Sequence, residues 1–157
     1  TEMYNRRHFI ETVEKEIARA MRHQRALTMC IIDVDLFKPI NDRYGHISGD
    51  QVLKQIAGLV RRHVRNDDAA ARIGGEEFAV LLPECGTDAA YGFAERLRIA
   101  IAAAEFRPCN EAQTITVSIG VAARTPERDT CSRMMAAADA ALYRAKRLGR
   151  NQVCIED

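Results

Sequence analysis

The run Arg72-Ile73-Gly74-Gly75-Glu76-Glu77-Phe78-Ala79-Val80-Leu81-Leu82 decides how this chain folds. Two glycines sit between strand-like segments, and two carboxylates follow at once. Paired glycines permit positive φ, so they predict a two-residue hairpin turn between strands over residues 69–73 and 78–82. Successive strand residues point to opposite faces. Glu76 and Glu77 therefore cannot both face a core, and one is held at the lip of the sheet. A tight turn that presents acid without side-chain bulk suits a hard metal beside a phosphate.

Upstream of the hairpin, Phe9, Ile10, Val13, Ile17, Ala20 and Met21 recur at helical spacing and predict a helix over 5–25. Residues 26–35 read as a buried strand ending in acid. The polar stretch 37–49 is broken by Pro39, Gly45 and Gly49 and predicts a loop or short helical turns. Ser48 with Gln51 fits a capping box opening a helix through Val52, Leu53, Ile56, Leu59, Val60 and Val64. Downstream, Pro83 and Gly86 stop the hairpin and a third helix covers 88–104. A strand over 114–123, a loop with Pro126, a helix over 132–148 closed by Gly149, and a short strand over 152–155 complete the chain. Helices alternate with strands and one hairpin is inserted. That order predicts an α/β (α+β) domain: a central mixed sheet with flanking helices.

The chain has 157 residues, enough for one domain with a real core. A net charge of +1 gives no electrostatic case for a nucleic-acid or membrane surface. Five scattered cysteines without CxxC spacing read as free thiols in a reducing, cytoplasmic setting, with no structural zinc site. No apolar run is long enough to span a bilayer. His8, His23, His46 and His63 form no convincing ligand spacing.

Asp33 and Asp35 lie two apart at a strand end and so share a face. Magnesium takes one or two carboxylates and leaves its other positions to water and phosphate. Asp33, the Val34 carbonyl and Glu76 form such a set, provided the first strand lies beside the hairpin. An isolated DxD more often ends a strand in solvent, but a glycine hairpin with its own acids shifts the balance.

The stretch Asp33-Val34-Asp35-Leu36-Phe37-Lys38-Pro39-Ile40-Asn41-Asp42-Arg43-Tyr44-Gly45-His46-Ile47-Ser48-Gly49-Asp50, followed by Gly74-Gly75-Glu76-Glu77-Phe78, resembles the GGDEF family of diguanylate cyclases. The likeness starts at Tyr4-Asn5-Arg6-Arg7. It continues through Ser118-Ile119-Gly120-Val121-Ala122 and the segment from Asp139 to Asn151, so it covers essentially the whole chain. It implies a single domain over 1–157 with a palm-like, nucleotidyl-cyclase-like βαβ core, the catalytic end of a longer regulator. The full-length protein could carry a membrane anchor, although this domain would make no membrane contact of its own.

The resemblance also implies a reaction: two GTP condense to cyclic di-GMP and two pyrophosphates. Asp33, Val34 and Glu76 would hold Mg2+ or Mn2+. Glu76, where aspartate is common in the family, would accept the proton, with Glu77 beside it. Lys38 would stabilise the transition state. Asn41 and Asp50 would read guanine, with Phe37 and Gly75 also against the nucleotide. Lys146 and Arg150, four apart, would hold the terminal phosphates from one helix face if the helix extends that far. Arg65 and Asp68 fit the RxxD motif at which cyclic di-GMP inhibits, with Arg96 or Arg98 as a further contact. One GTP per domain implies a catalytic homodimer, driven by an upstream sensory or receiver region. Taken singly, each residue has a plainer reading. Lys38 is a solvated loop lysine, Asp50 a first-turn helix acid, Asn41 a turn residue, Lys146 and Arg150 complement a helix end, and RxxD is an ion pair. A catalytically silent receptor for cyclic di-GMP or GTP is the alternative function.

Overall fold

The segment Leu27–Val34 forms β1, and every residue in it is buried. The computed structural model, which describes residues 3–157, shows why. The strand lies at the centre of a five-stranded sheet ordered β2-β3-β1-β4-β5 and is covered on both faces. Its alternate side chains serve two cores. Leu27, Met29 and Ile31 pack with Phe9, Val13 and Ile17 of helix α1 (Arg6–His23) and with Met134, Ala138 and Leu142 of α5 (Cys131–Arg147). Cys30, Ile32 and Val34 face the other way, toward Phe37 of α2 (Phe37–Tyr44), Val52, Leu53 and Ile56 of α3 (His46–His63), and Phe93 and Leu97 of α4 (Thr87–Ala103).

The hairpin strands β2 (Ala69–Arg72) and β3 (Glu77–Pro83) run antiparallel, and β3 pairs antiparallel with β1. On its other side β1 pairs antiparallel with β4 (Val117–Ala123). Helix α5 then crosses over so that β5 (Val153–Glu156) lies parallel to β4, which makes the sheet mixed, as the alternation of elements predicts. Tyr4 extends the β2 edge through a single parallel bridge to Ala71. All five cysteines are free thiols.

Of the two alternatives for the polar stretch after β1, short helical turns hold: α2 is a two-turn helix entered through Leu36 at φ 53. Three other local readings are corrected. Ser48 caps nothing: α3 starts at His46 from the N-cap Gly45, whose φ of 86 turns the chain out of α2. Its carbonyl accepts the Gly49 N–H at 3.1 Å, while the Ser48 hydroxyl lies 3.3 Å from Cys109 Sγ. Strand β4 begins at Val117, three residues later than the sequence predicts, and the Asp35 N–H donates to the Thr116 carbonyl at 2.9 Å just beyond its end. The hairpin connection is also wider than two residues. Ile73 N–H and Gly74 N–H both donate to the Glu77 carbonyl, at 2.9 and 3.3 Å, and Gly45 and Gly149 are the glycines with positive φ. The glycines of the loop meet a different need. The Arg72 guanidinium folds back onto the Gly75 carbonyl at 2.7 Å, and a Cβ on Gly74 would sit 2.9 Å from Glu77 Oε2.

Candidate active site

The acids of β1 and of the glycine loop meet at one end of the sheet. Asp33 stands directly opposite Glu77 in the β1–β3 ladder, and Val34 N–H donates to the Glu76 carbonyl at 3.2 Å. Asp33 is buried, while Glu76 and Glu77 are half-buried. Burial pushes the Asp33 carboxyl above its usual range, against the pull of Lys146 Nζ, 3.1 Å away. Burial raises Glu76 and Glu77 too, and the Asp33 charge adds to both. These are carboxylates crowded in a partly dry corner with one lysine between them.

Asp35, two residues on, shares that face but has no free oxygen to offer a ligand. It accepts from Thr116 Oγ1 and Ser118 Oγ, both at 2.7 Å, and from Asn151 N–H at 3.0 Å. Among the described residues no group of three or more His, Cys, Asp or Glu side chains converges as a metal cage. Asp33 and Glu76 with the Val34 carbonyl are an all-oxygen, two-carboxylate set. Its mutual repulsion is the chemistry that a hard divalent cation relieves, so these residues fit such an ion.

Polar groups gather where α2 meets α3. Asn41 Oδ1 is buried and has no hydrogen-bond partner. It lies across Gly49, where a Cβ would stand 1.8 Å from it and 3.1 Å from Phe37 Cζ. Glycine at 49 therefore makes room for Asn41 beside the ring of Phe37. Lys38 of α2 and Asp50 of α3 are exposed. A buried acceptor without a donor costs free energy in the free protein, typically about 1–3 kcal/mol, so Asn41 is poised to receive an N–H from a ligand.

Lys146 and Arg150 do not share a helix face. Helix α5 ends at Arg147; Gly149 has φ 118 and Arg150 φ 64. The turn nevertheless carries Arg150 close enough to the acids for its charge to act on Asp33. Arg65 and Asp68 lie away from this corner, at the α3–β2 turn. There Arg65 N–H donates to Asp68 Oδ2 at 2.7 Å and the guanidinium reaches Oδ1 at 3.4 Å. Arg65 is exposed, and with Arg96 it exerts its charge on Cys85. Arg98 is committed elsewhere, to Glu95 and Asn151. The sequence reading gives no role to Arg72, Glu95, Ser118 or Asn151, and weighs Arg98 only for the inhibitory site. The bonds Arg98–Asn151, Ser118–Asp35 and Asn151–Asp35 span distant segments and leave no mark in local spacing.

Comparison with known proteins gives the family and the fold. The profile of the family described as "Diguanylate cyclase, GGDEF domain" matches residues 1–152. The diguanylate cyclase DgcP of Pseudomonas aeruginosa is 44% identical over 153 residues, which cover 98% of this chain and 23% of DgcP. The response regulator PleD of Caulobacter vibrioides is 37% identical over 155 residues, 98% of this chain and 34% of PleD. The chain thus spans less than half the length of the curated relatives it matches. Among solved structures, the GGDEF domain of DgcB from Caulobacter crescentus, in complex with c-di-GMP, superposes with a TM-score of 0.95 at 35% identity, covering 100% of this chain and 90% of that one. The active GGEEF domain of a diguanylate cyclase from Vibrio cholerae gives 0.93 at 35% identity, with 99% of each chain covered.

Proposed function

Because the chain belongs to the GGDEF family of diguanylate cyclase domains, we propose that it condenses two molecules of GTP into cyclic di-GMP and releases two pyrophosphates. One observation carries the reading. The crowded acids Asp33, Glu76 and Glu77 lie at the end of β1, and the unpartnered Asn41 Oδ1 sits on the helix that β1 leads into. A triphosphate site and a base site are thereby joined by one turn of chain.

Asn41 and Asp50 accept the N–H groups on the Watson–Crick edge of guanine, with Phe37 and Gly75 against the nucleotide. Adenine would leave Asp50 facing a ring-nitrogen acceptor, an unpaired contact that discriminates strongly. Lys146 and Arg150 hold the terminal phosphates, and Lys38 brings a mobile ammonium toward the charge that develops at the α-phosphate. Asp33, Glu76 and the Val34 carbonyl would hold Mg2+ or Mn2+, which neutralises phosphate charge and polarises the α-phosphate when bound. Glu76, with Glu77 next to it, takes the proton of the attacking 3′-hydroxyl; its raised pKa favours that transfer. The 3′-oxygen forms its bond to phosphorus as the bond to pyrophosphate breaks. Each domain binds one GTP, so two copies must face one another, and an upstream sensory or receiver region would govern that pairing. At low concentration the rate should then rise as the square of the protein concentration. Incubation with GTP and Mg2+ followed by chromatography tests the activity: cyclic di-GMP must appear. Tight cyclic di-GMP or GTP binding without turnover would identify the silent receptor instead.

Two variants probe the parts. Gly49→Ala places a methyl group where Asn41 Oδ1 lies. Alanine favours a helix interior by up to about 1 kcal/mol and the clash falls on a side-chain tip, so the fold should survive. The KM for GTP should rise about 10- to 100-fold through loss of a buried hydrogen bond and of space for the base; an unchanged KM would remove Asn41 from base recognition. Arg65, with Asp68 and Arg96, forms the inhibitory site at which the product binds. Arg65→Ala should weaken inhibition by cyclic di-GMP about 10- to 100-fold, the scale of a lost bidentate arginine–guanine contact, and leave the uninhibited rate alone. Inhibition curves of the two proteins decide it.

A further inference from the structure

The turn that follows α5 is left-handed. Gly149, Arg150 and Asn151 have φ of 118, 64 and 46. Glycine and asparagine visit that region readily, but arginine does not, and left-handed backbone at Arg150 persists where surrounding contacts over-determine it.

The contacts are specific. Asn151 N–H donates to Asp35 Oδ2 at 3.0 Å. Asp35 is buried, and Thr116 Oγ1 and Ser118 Oγ pin it to the start of β4. From the opposite side, Arg98 Nη1 donates to Asn151 Oδ1 at 2.9 Å and to its carbonyl at 3.4 Å. Arg98 is itself gripped by both carboxylate oxygens of Glu95, at 2.9 Å each, and only 19% of its side chain is exposed. A continuous chain Glu95–Arg98–Asn151–Asp35 thus ties helix α4 to the end of β1 and passes through the residue next to Arg150. The Arg150 side chain is exposed and has no hydrogen bond or ion pair among the described residues.

We propose that Glu95, Arg98, Asn151 and Asp35 are positioning residues for Arg150, fixing the turn from which it reaches the terminal phosphates of GTP. This rests on the reading of Arg150 as a triphosphate contact. The chain presets the direction of the guanidinium, so less ordering remains to be done when the nucleotide arrives. Arg98 is accordingly assigned to the substrate side of the domain, and Arg96 is left to the inhibitory side.

The test compares two ligands in the presence of Mg2+: the unreactive α,β-methylene-GTP and GMP, which lacks the terminal phosphates. Arg150→Met should weaken the triphosphate analogue about 10-fold or more and leave GMP binding unchanged. Arg98→Met should weaken the analogue about 3- to 10-fold, again sparing GMP, and the double variant should be no weaker than Arg150→Met alone. Asn151→Gly guards against misfolding. It keeps the backbone N–H and tolerates positive φ, and it deletes only the amide that Arg98 holds, so it should follow Arg98→Met. If Arg98→Met and Asn151→Gly bind the analogue as wild type does while Arg150→Met is weakened, the positioning role is overturned and the phosphate reading stands. Equal losses for GMP and the analogue would also overturn it, as a general structural effect. If Arg150→Met itself binds normally, the phosphate reading falls and takes the positioning role with it.

Discussion

Glu76→Gln should lower the rate of cyclic di-GMP formation by about 10³-fold or more while leaving the domain at least as stable as wild type. Both halves follow from one corner of the structure. Glutamine keeps the size of the side chain but can neither take a proton nor bring a full charge to a cation. The stability half is the less obvious. Burial and the Asp33 charge hold the Glu76 carboxyl above its ordinary value. A carboxyl whose pKa is raised on folding binds its proton more tightly in the native state. Its contribution is therefore fully present below the unfolded pKa and is lost as pH climbs through the folded one. At neutral pH the ionised group is a net liability, and Asp33 and Glu77 share its sign. Removing one charge relieves the others. Thermal melts at pH 5 and pH 7.5 check this. Wild type should lose more stability between those values than Glu76→Gln does, and a variant that melts well below wild type at pH 7.5 would show that Glu76 supports the fold.

Gly120→Ala should be the most damaging single methyl group in the protein. Helix α5 lies so close on β4 that a Cβ at 120 would stand 2.0 Å from the Ala138 carbonyl oxygen, 2.4 Å from the Leu142 nitrogen and 2.9 Å from its Cα. Those are backbone atoms, and no rotamer change moves them. The fully buried alanines Ala138, Ala141 and Ala145 mark the same close packing along the helix. Either α5 lifts from the sheet or β4 buckles. The cost should be about 3–5 kcal/mol, a large part of the roughly 5–15 kcal/mol that holds a domain together, and the melting point should fall by about 10 °C or more. Activity should suffer beyond what stability explains, because α5 carries Lys146, whose Nζ lies 3.1 Å from Asp33. Gly58→Ala is the matching control. Its new methyl would meet only Arg61 Nη2 at 3.8 Å, and helix propensity should make it neutral or stabilising by up to about 1 kcal/mol. Denaturant unfolding should show a large loss for Gly120→Ala and none for Gly58→Ala.

The legible parts of the chain were those in which one physical cause dominates. The largely apolar, fully buried β1, the striped α1 and α4 and the hairpin of β2 and β3 follow from burial periodicity, and the structure follows them to within a residue or two. Errors fell where tertiary contacts outweighed local chemistry. Ser48 and Gln51 look like a cap, yet Gly45 with its positive φ had already started α3. Gly74-Gly75 looks like a tight turn, but Arg72 draws the loop carbonyls inward and widens it. Asp35 reads as one of an acidic pair, and its partners Thr116, Ser118 and Asn151 lie more than eighty residues away. Lys146 and Arg150 were paired by a helix that ends at Arg147. The acids that could hold a cation were legible from a motif; the scaffold that aims them was not.

The outer strands β2 and β5 are only four residues long, and Tyr4 takes up part of the β2 margin with N–H to Ala70 O at 3.0 Å and Arg72 N–H to its own carbonyl at 3.3 Å. A neighbouring molecule seeking to extend the sheet would find few open amides and carbonyls there. Backbone-to-backbone fusion of two copies, which is sticky and hard to reverse, is thereby discouraged. If two copies meet as proposed, their encounter would be left to side chains and bound nucleotides, contacts that form and dissolve with concentration. Under that proposal, synthesis of the messenger would stop when the two halves drift apart.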